Sequence, residues 1–536
     1  MALPATCLAE LVILGAQVVT MRAGEPRTEA FAVAEERVLR VGTDDEVRAC
    51  VGPKTRVIDL DGAVVMPGFI DAHAHPAESG IEAGLVNLAS AGSIGEAVKL
   101  AEAWRARHPK AVWITGGGWD AVAFANASPR ASLDEAFGAV PAYFSSVDGH
   151  SAWVNTAALR VGGLFGAPPP RGGQVEMDSL GQPTGVIRET ATDAVVAAMP
   201  ARSAAEVDEG IVVALAELGK YGVTSVIEAA SDVTLLAGWR RAEVAGRLSA
   251  RVFAAMPVEL GEGRAAVGRV ARLARRYHSD RLSVNAIKLF LDGVVETRTA
   301  RMVAPYVGGG LGPVQFEDTE LDEIYDAADS LLLQVHAHAI GDGAVRQALD
   351  AEARRVARRG ARDRRTLLAH LEFVAPVDAP RFRELGVVAD LQPLWAYPDL
   401  YVTELTTPVV GAERTAAAYP FGTLHAAGAR LAAGSDWSVT TLNPWPAIEV
   451  AVTRTDPEVP GDVLGANESI PLTVILEAYT LGGAHAMFAD TSLGQISPGF
   501  YADFIVLDRD PWAIPPSQLS EVEVRQTWVG GELVGR

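Results

Sequence analysis

The stretch "MPGFIDAHAHP", Met66 to Pro76, sets His73 and His75 one residue apart at the end of an apolar run. The chain has only ten histidines in 536 residues, so this pair asks for a chemical reason. In a β-strand, residues i and i+2 point to one face, and two imidazoles side by side can chelate one metal ion. The same residue types recur at the ends of other apolar runs: Lys288 in "NAIKLFLDG", His336 and His338 in "LLLQVHAHAIGD", His370 in "TLLAHLEF" and Asp436 in "GSDW". Neutral imidazole and carboxylate are zinc ligands that leave a position open for water. A lysine ammonium has no lone pair and repels a metal, but an amine carboxylated by CO₂ presents two oxygens that bridge two ions. Two ions about 3.5–4 Å apart generate a bridging hydroxide at neutral pH and polarise a carbonyl. Asp436 is suited to bind one ion and to shuttle the proton of that hydroxide to a leaving group.

Such residues must be brought together by the elements that carry them. Eight short apolar runs alternate with Ala/Leu/Arg-rich helical stretches, at residues 68–75, 223–229, 250–256, 284–293, 331–342, 366–373, 386–395 and 429–437. Strands alternating with helices imply parallel pairing, and eight of them predict an α/β fold of the (β/α)₈ TIM-like barrel type. A barrel gathers the C-terminal ends of all its strands at one mouth, where the residues above stand. A doubly wound sheet is the competing fold, but its Gly-rich dinucleotide fingerprint is absent. Both chain ends read as short strands, neither with enough of them for a stable sheet. One small β-sandwich built from residues 1–62 and 487–536 accounts for both, with the barrel over 63–486. About 150 residues separate the first two barrel runs, more than a loop takes, which predicts an inserted α/β subdomain (90–210) near the mouth.

The motifs "PGFIDAHAHP", "IKLFLDG…TRTA", "HAIGDGAV", "AHLEF", "GSDWSV…NP" and "LGQISPGFYADFIVLD" resemble the amidohydrolase superfamily, and more narrowly its branch of N-substituted formamide deformylases. The likeness covers nearly the whole chain. It implies a binuclear site, with His73, His75 and Asp436 on one divalent ion, His338 and His370 on the other, and carboxylated Lys288 as the bridge. Zn²⁺ is the expected metal. In this pattern the ligand of "HAIGD" is His338, which leaves His336 as a buried core histidine one layer down the barrel.

Further residues carry less specific signals. His150, in "SSVDGHSAWVNTAAL", reads either as a neutral donor to the scissile carbonyl or as a loop histidine bonded to local backbone. Trp119, Trp395, Tyr397 and Trp437 lie in predicted loops and are expected to contact substrate, which points to an apolar or aryl-bearing molecule. Glu228 ends the second barrel run, where it is expected to meet substrate or orient a ligand histidine. Lys288 has a plain alternative, an ion pair with Asp292 or Glu228.

Composition sets the outer limits. With 46 basic and 67 acidic residues the net charge is −21, which opposes binding to nucleic acid or an anionic membrane. No apolar run reaches the roughly 18 residues a membrane span requires. The two cysteines, Cys7 and Cys50, cannot form a disulfide framework, so a reducing, cytoplasmic setting is expected. The expected activity is metal-dependent hydrolysis of a C–N bond in a small N-substituted amide or formamide. A lactonase or other ester-type hydrolase is the alternative on the same metals, and an inactive binding relative is a third. A homodimer is compatible with all three.

Overall fold

The computed structural model describes residues 7–24, 27–119, 130–147, 149–459 and 461–535. Eight parallel strands pair in chain order: Phe69–Ala74, Val223–Glu228, Arg251–Pro257, Leu282–Phe290, Gln334–Ala339, Leu367–His370, Val388–Leu391 and Arg430–Ala433. Six fall within the runs read from the sequence; the third ends one residue past its run and the fourth begins two residues before its own. These strands are nearly all buried because helices cover the barrel outside while side chains fill it inside. One core joins barrel and helices, with Trp239, Tyr325 and Trp445 among its largest members.

The barrel closes between its first and last strands just above their ends. Asp436 N donates to His73 O at 2.7 Å, and His75 N donates to Trp437 O at 2.8 Å. This seam needs Gly434, where a Cβ would lie 2.5 Å from His73 N. At this approach no larger residue fits without moving backbone.

Strands from both chain ends share one sheet. Phe504–Leu507 runs antiparallel to Val64–Pro67, with Phe504 opposite Pro67. This six-stranded sheet packs through Val18, Val65, Phe504 and Trp528 on Leu11, Ile13, Phe31 and Val33 of a four-stranded sheet from the N-terminal region. The Phe31 and Phe504 rings meet edge to face at 4.9 Å. A separate six-stranded mixed sheet spans Val86–Asn87 to Pro183–Arg188, between the first two barrel strands, and has its own core.

The cysteines depart from expectation: Cys7 and Cys50 are joined in a disulfide. The hydrogen bond from Ala9 N to Cys50 O holds the N-terminal segment beside the end of the short helix Asp44–Arg48, which brings the two sulfurs together. Two cysteines 43 residues apart thus suffice for one bridge, and the cysteine count no longer argues for a reducing compartment. No helix among the described residues is long and apolar enough to cross a membrane.

The terminal sheet is fastened to the barrel base by a buried ion pair. Arg251, at the start of the third barrel strand, donates to Asp503 through Nε at 2.7 Å and Nη2 at 3.1 Å. Its guanidinium lies over the Tyr501 ring at 3.5 Å. Arg251→Met keeps the packing volume but leaves the buried Asp503 carboxylate, among the described residues, with only the Gly530 N–H for a partner. We predict a loss of about 3–5 kcal/mol, read as a lower denaturation midpoint by circular dichroism. An unchanged midpoint would show that the pair does not hold the sheet.

Candidate metal centre

The strand ends place His73, His75, Lys288, His338, His370 and Asp436 around one point at the floor of a cavity of about 2360 Å³. His73 Nε2 lies 3.3 Å from Lys288 Nζ and 3.5 Å from Asp436 Oδ1. His75 Nε2 is 3.2 Å from the same Asp436 oxygen. His370 Nδ1 is 4.0 Å from Asp436 Oδ2, and the His338 and His370 rings are 4.5 Å apart. Two of these residues sit at unusual backbone angles. His370, at the end of the sixth strand, has φ of 81°, and Asp436, just past the eighth, has φ of 53°, both left-handed values. Such conformations cost about 1–3 kcal/mol each in a residue with a Cβ and persist where the surroundings enforce them.

Burial fixes the charge states. It pushes His73, His338 and His370 well below the ordinary histidine range, so these rings keep neutral lone pairs. The Lys288 amine is brought down to about 7, chiefly by burial, although Asp436 and Asp390 pull the other way. The alternative ion pair is not formed: among the described residues no carboxylate lies within 4.0 Å of Lys288 Nζ. Asp292 instead accepts from the backbone N–H groups of Ile340, Gly341 and Arg301, and its Oδ1 lies 3.2 Å from His338 Nδ1. A carboxylate on one ring nitrogen leaves the other, Nε2, with the lone pair.

This donor set fits a divalent ion. His73, His370 and Asp436 each offer an atom within 4.8 Å of the others. His370 Nδ1 is buried without a hydrogen-bond partner. Asp436 meets both histidines of "HAH" at the long end of hydrogen-bond distances or beyond.

A second layer lies below. His336 Nε2 is 2.8 Å from His73 Nδ1, and Asp390 Oδ2 is 3.5 Å from the same nitrogen. His336 is fully buried on the same strand face as His338, and its contact with His73 braces that ring from beneath. On the other side Asp71 accepts from His73 N at 3.1 Å and from Ser435 Oγ at 2.6 Å.

The residues expected to hold substrate are scattered. Trp437 lines the cavity. Trp119 is buried in the core of the inserted sheet with its indole N–H on Phe144 O at 2.8 Å. Trp395 stacks on His370, ring planes 2° apart, so it buttresses a ligand candidate. Tyr397 is half-buried against the barrel core. Glu228 is fully buried, accepting from Trp239 Nε1 at 2.9 Å and Ala77 N at 3.3 Å, and burial pushes its carboxyl up to about 7. The cavity walls come instead from Tyr143, Phe290, Phe316 and Glu82 along with Trp437. His150 does reach the site: its ring centroid is 5.1 Å from that of His338. Its Nδ1 lies 3.1 Å from Glu189 Oε2, a partner that nothing in the local sequence marked.

An eight-stranded parallel barrel with a buried His/Asp cluster at its C-terminal mouth defines a metal-dependent hydrolase. The chain belongs to the amidohydrolase family, whose pattern matches residues 56–534. It is 30% identical to the putative amidohydrolase YtcJ of Bacillus subtilis, over 97% of this chain and 98% of that one. It is 26% identical to the N-substituted formamide deformylase of Arthrobacter pascens, over 98% of each. The crystal structure of an uncharacterized metal-dependent hydrolase from Pyrococcus horikoshii superimposes with a TM-score of 0.76 at 25% identity, covering 94% of this chain and 99% of that one.

The Asp292 contact yields a prediction. Asp292→Asn preserves shape but removes the charge that holds His338. Affinity for Zn²⁺ is expected to fall about 10–100-fold, measured by chelator competition, with the circular dichroism spectrum unchanged. Unaltered affinity would remove Asp292 from this role.

Proposed function

We propose that the protein hydrolyses the C–N bond of a small N-substituted amide or formamide, using two divalent ions, best met by Zn²⁺. The observation that carries this reading is the convergence of four histidines, Asp436 and a buried lysine on one cavity floor. Likeness to a formamide deformylase along the whole chain supports the amide class. His73, His75 and Asp436 would hold one ion, and His338 and His370 the other. Lys288 would bridge them as a carbamate: its free amine forms an N–C bond to CO₂, a proton leaves the nitrogen, and the product carries a negative charge. Divalent ions bound there supply Lewis acidity toward the carbonyl and lower the pKa of water.

The chain's own groups handle binding and protons. The carbonyl carbon is attacked by water, the C–N bond breaks, and a carboxylic acid and an amine result. Asp436 takes a proton from the attacking water and delivers it to the departing nitrogen. Trp437, Phe290 and Phe316 give the cavity apolar surface suited to an alkyl or aryl substituent. We also divide the chain into a terminal β-sandwich over 1–62 and 487–536, a barrel over 63–486 and an insertion over 90–210. Val64–Pro67, paired with Phe504–Leu507, then extends the terminal unit.

Two measurements test the reading. Lys288→Ala is expected to lose metal and nearly all turnover, and a short carboxylic acid in solution should partly restore both by standing in for the carbamate. Full metal content without added acid would refute the bridge. Asp436→Asn retains some coordinating power but not the proton acceptor, and turnover on metal-loaded protein should drop by about 10²–10⁴-fold. A panel of amides, formamides and lactones, scored for amine release, decides the bond class, and turnover of lactones alone would overturn it.

A further inference from the structure

Glu82 lines the catalytic cavity and carries a charge that the fold does not pair. It is the last residue of the helix Pro76–Glu82, which begins directly after His75. A helix end of this kind disfavours a negative charge. The half-buried carboxylate accepts from Ser438 Oγ at 2.9 Å, which ties this helix to the loop after the eighth barrel strand. Arg202 could neutralise it but is taken by Glu78, whose two oxygens bind its two terminal nitrogens. Among the described residues no Lys or Arg forms an ion pair with Glu82. Burial and then Glu78 push the Glu82 carboxyl above its ordinary range, and Ser438 and Arg202 offset only part of this. Two aromatic rings share this stretch of wall. Trp437 lines the cavity and directly precedes Ser438. Tyr143 comes down from the inserted strand Ala142–Ser146, and its phenol is pushed up by burial and then by the carboxylates of Asp193, Glu82 and Glu78. The cavity's basic side chains outside the metal centre, Arg107, Lys110 and Arg171, are not among the charges that act most on Glu82 or Tyr143.

A carboxylate beside aromatic rings is suited to an alkylammonium group. The oxygens meet the charge, and the ring faces attract the polarised groups around the nitrogen. Room is not limiting. The cavity of about 2360 Å³ exceeds the roughly 300–1,000 Å³ that a small ligand usually fills. An amide at the metal floor therefore leaves space for a chain that reaches the wall. We infer that Glu82 is a specificity-determining residue that receives an ammonium group on the nitrogen substituent, so that the preferred substrates are diamines acylated on one nitrogen. Water is added across the C–N bond, giving a carboxylic acid and the diamine, and the second nitrogen stays protonated throughout. The net charge of −21 favours the approach of such a cation. The substrate class rests on the amide reading above, whereas the cation site does not.

The test has two arms. The first measures binding of hexyltrimethylammonium to the zinc-loaded protein by calorimetry; this cation has no lone pair to offer a metal. The wild type should bind it. Glu82→Gln, whose amide oxygen still accepts from Ser438, should bind it about 10–100-fold more weakly, the worth of one close charge pair. Equal affinity of the two proteins, or no binding to the wild type, would overturn the cation site. In the second arm, kcat/KM is compared for N-(aminoalkyl)formamides of increasing chain length and N-alkyl formamides of equal length. The wild type should prefer the aminoalkyl series at the lengths that reach the wall, and Glu82→Gln should shrink that preference by about 10–100-fold. Glu82→Lys, checked for folding by circular dichroism, should turn the preference toward the matching series that ends in a carboxylate. A wild type that favours the neutral series at every length would overturn the assignment, as would a preference that survives Glu82→Gln. Failure to hydrolyse any formamide would sink the amide reading and the substrate class with it, while the binding arm still decides the cation site.

Discussion

The site depends on one buried carboxylate that is not itself among the ligand candidates. Asp71 lies two residues before His73 and accepts from His73 N, Ser435 N and Ser435 Oγ. It thereby fastens the first barrel strand to the loop after the eighth. The backbone bond from Asp436 N to His73 O completes the seam. A barrel sheet has no edge only if this last pairing forms. Here the pairing that closes the sheet also sets Asp436 opposite both histidines of "HAH". Burial pushes the Asp71 carboxyl up to about 7, while its three hydrogen bonds hold it down.

Burial then does the electrostatic work. The floor of the cavity is sealed by the barrel core, so charge is costly there unless paired. Histidines in such a place stay neutral and a lysine amine loses its proton readily, which turns would-be cations into lone pairs. The pairing carboxylates are distributed by layer. Asp292 serves His338 from the side, Asp390 lies near His73 from below, and Asp436 stands in the middle. A single set of strand ends thus supplies both the donors and the groups that keep them in the donor state.

What the sequence showed follows from the range of each signal. The eight barrel strands were legible because each is a short and mostly buried run, and the ligand types stood at or just past the ends of several of them. Asp292 was visible four residues after Lys288, but its partner was not, because strand order in space decides that it meets His338 on the neighbouring strand. The aromatic residues misled for a related reason. Trp119 and Trp395 lie in or near loops as expected, yet one fills the core of the inserted sheet and the other stacks on His370. Large rings are drawn to any apolar contact, and loop position alone does not say which. The disulfide was hidden because two cysteines carry no spacing pattern.

The inserted region shows the limit most sharply. His150 and Glu189 are 39 residues apart, and Glu189 and Thr299 are 110 apart. No periodicity or motif links three such positions. Their meeting arises because the strands Ser151–Val154 and Pro183–Arg188 are antiparallel neighbours, with Ser151 opposite Arg188. That register puts the residue before one strand beside the residue after the other, and those residues are His150 and Glu189. The insertion therefore does more than roof the barrel. Its sheet register delivers an imidazole to the metal-facing cavity, and a carboxylate from the same register anchors it to the barrel loop that follows the strand of Lys288. Thr299, which belongs to the barrel, bonds to Glu189 of the insertion and so joins the two units beside the cavity.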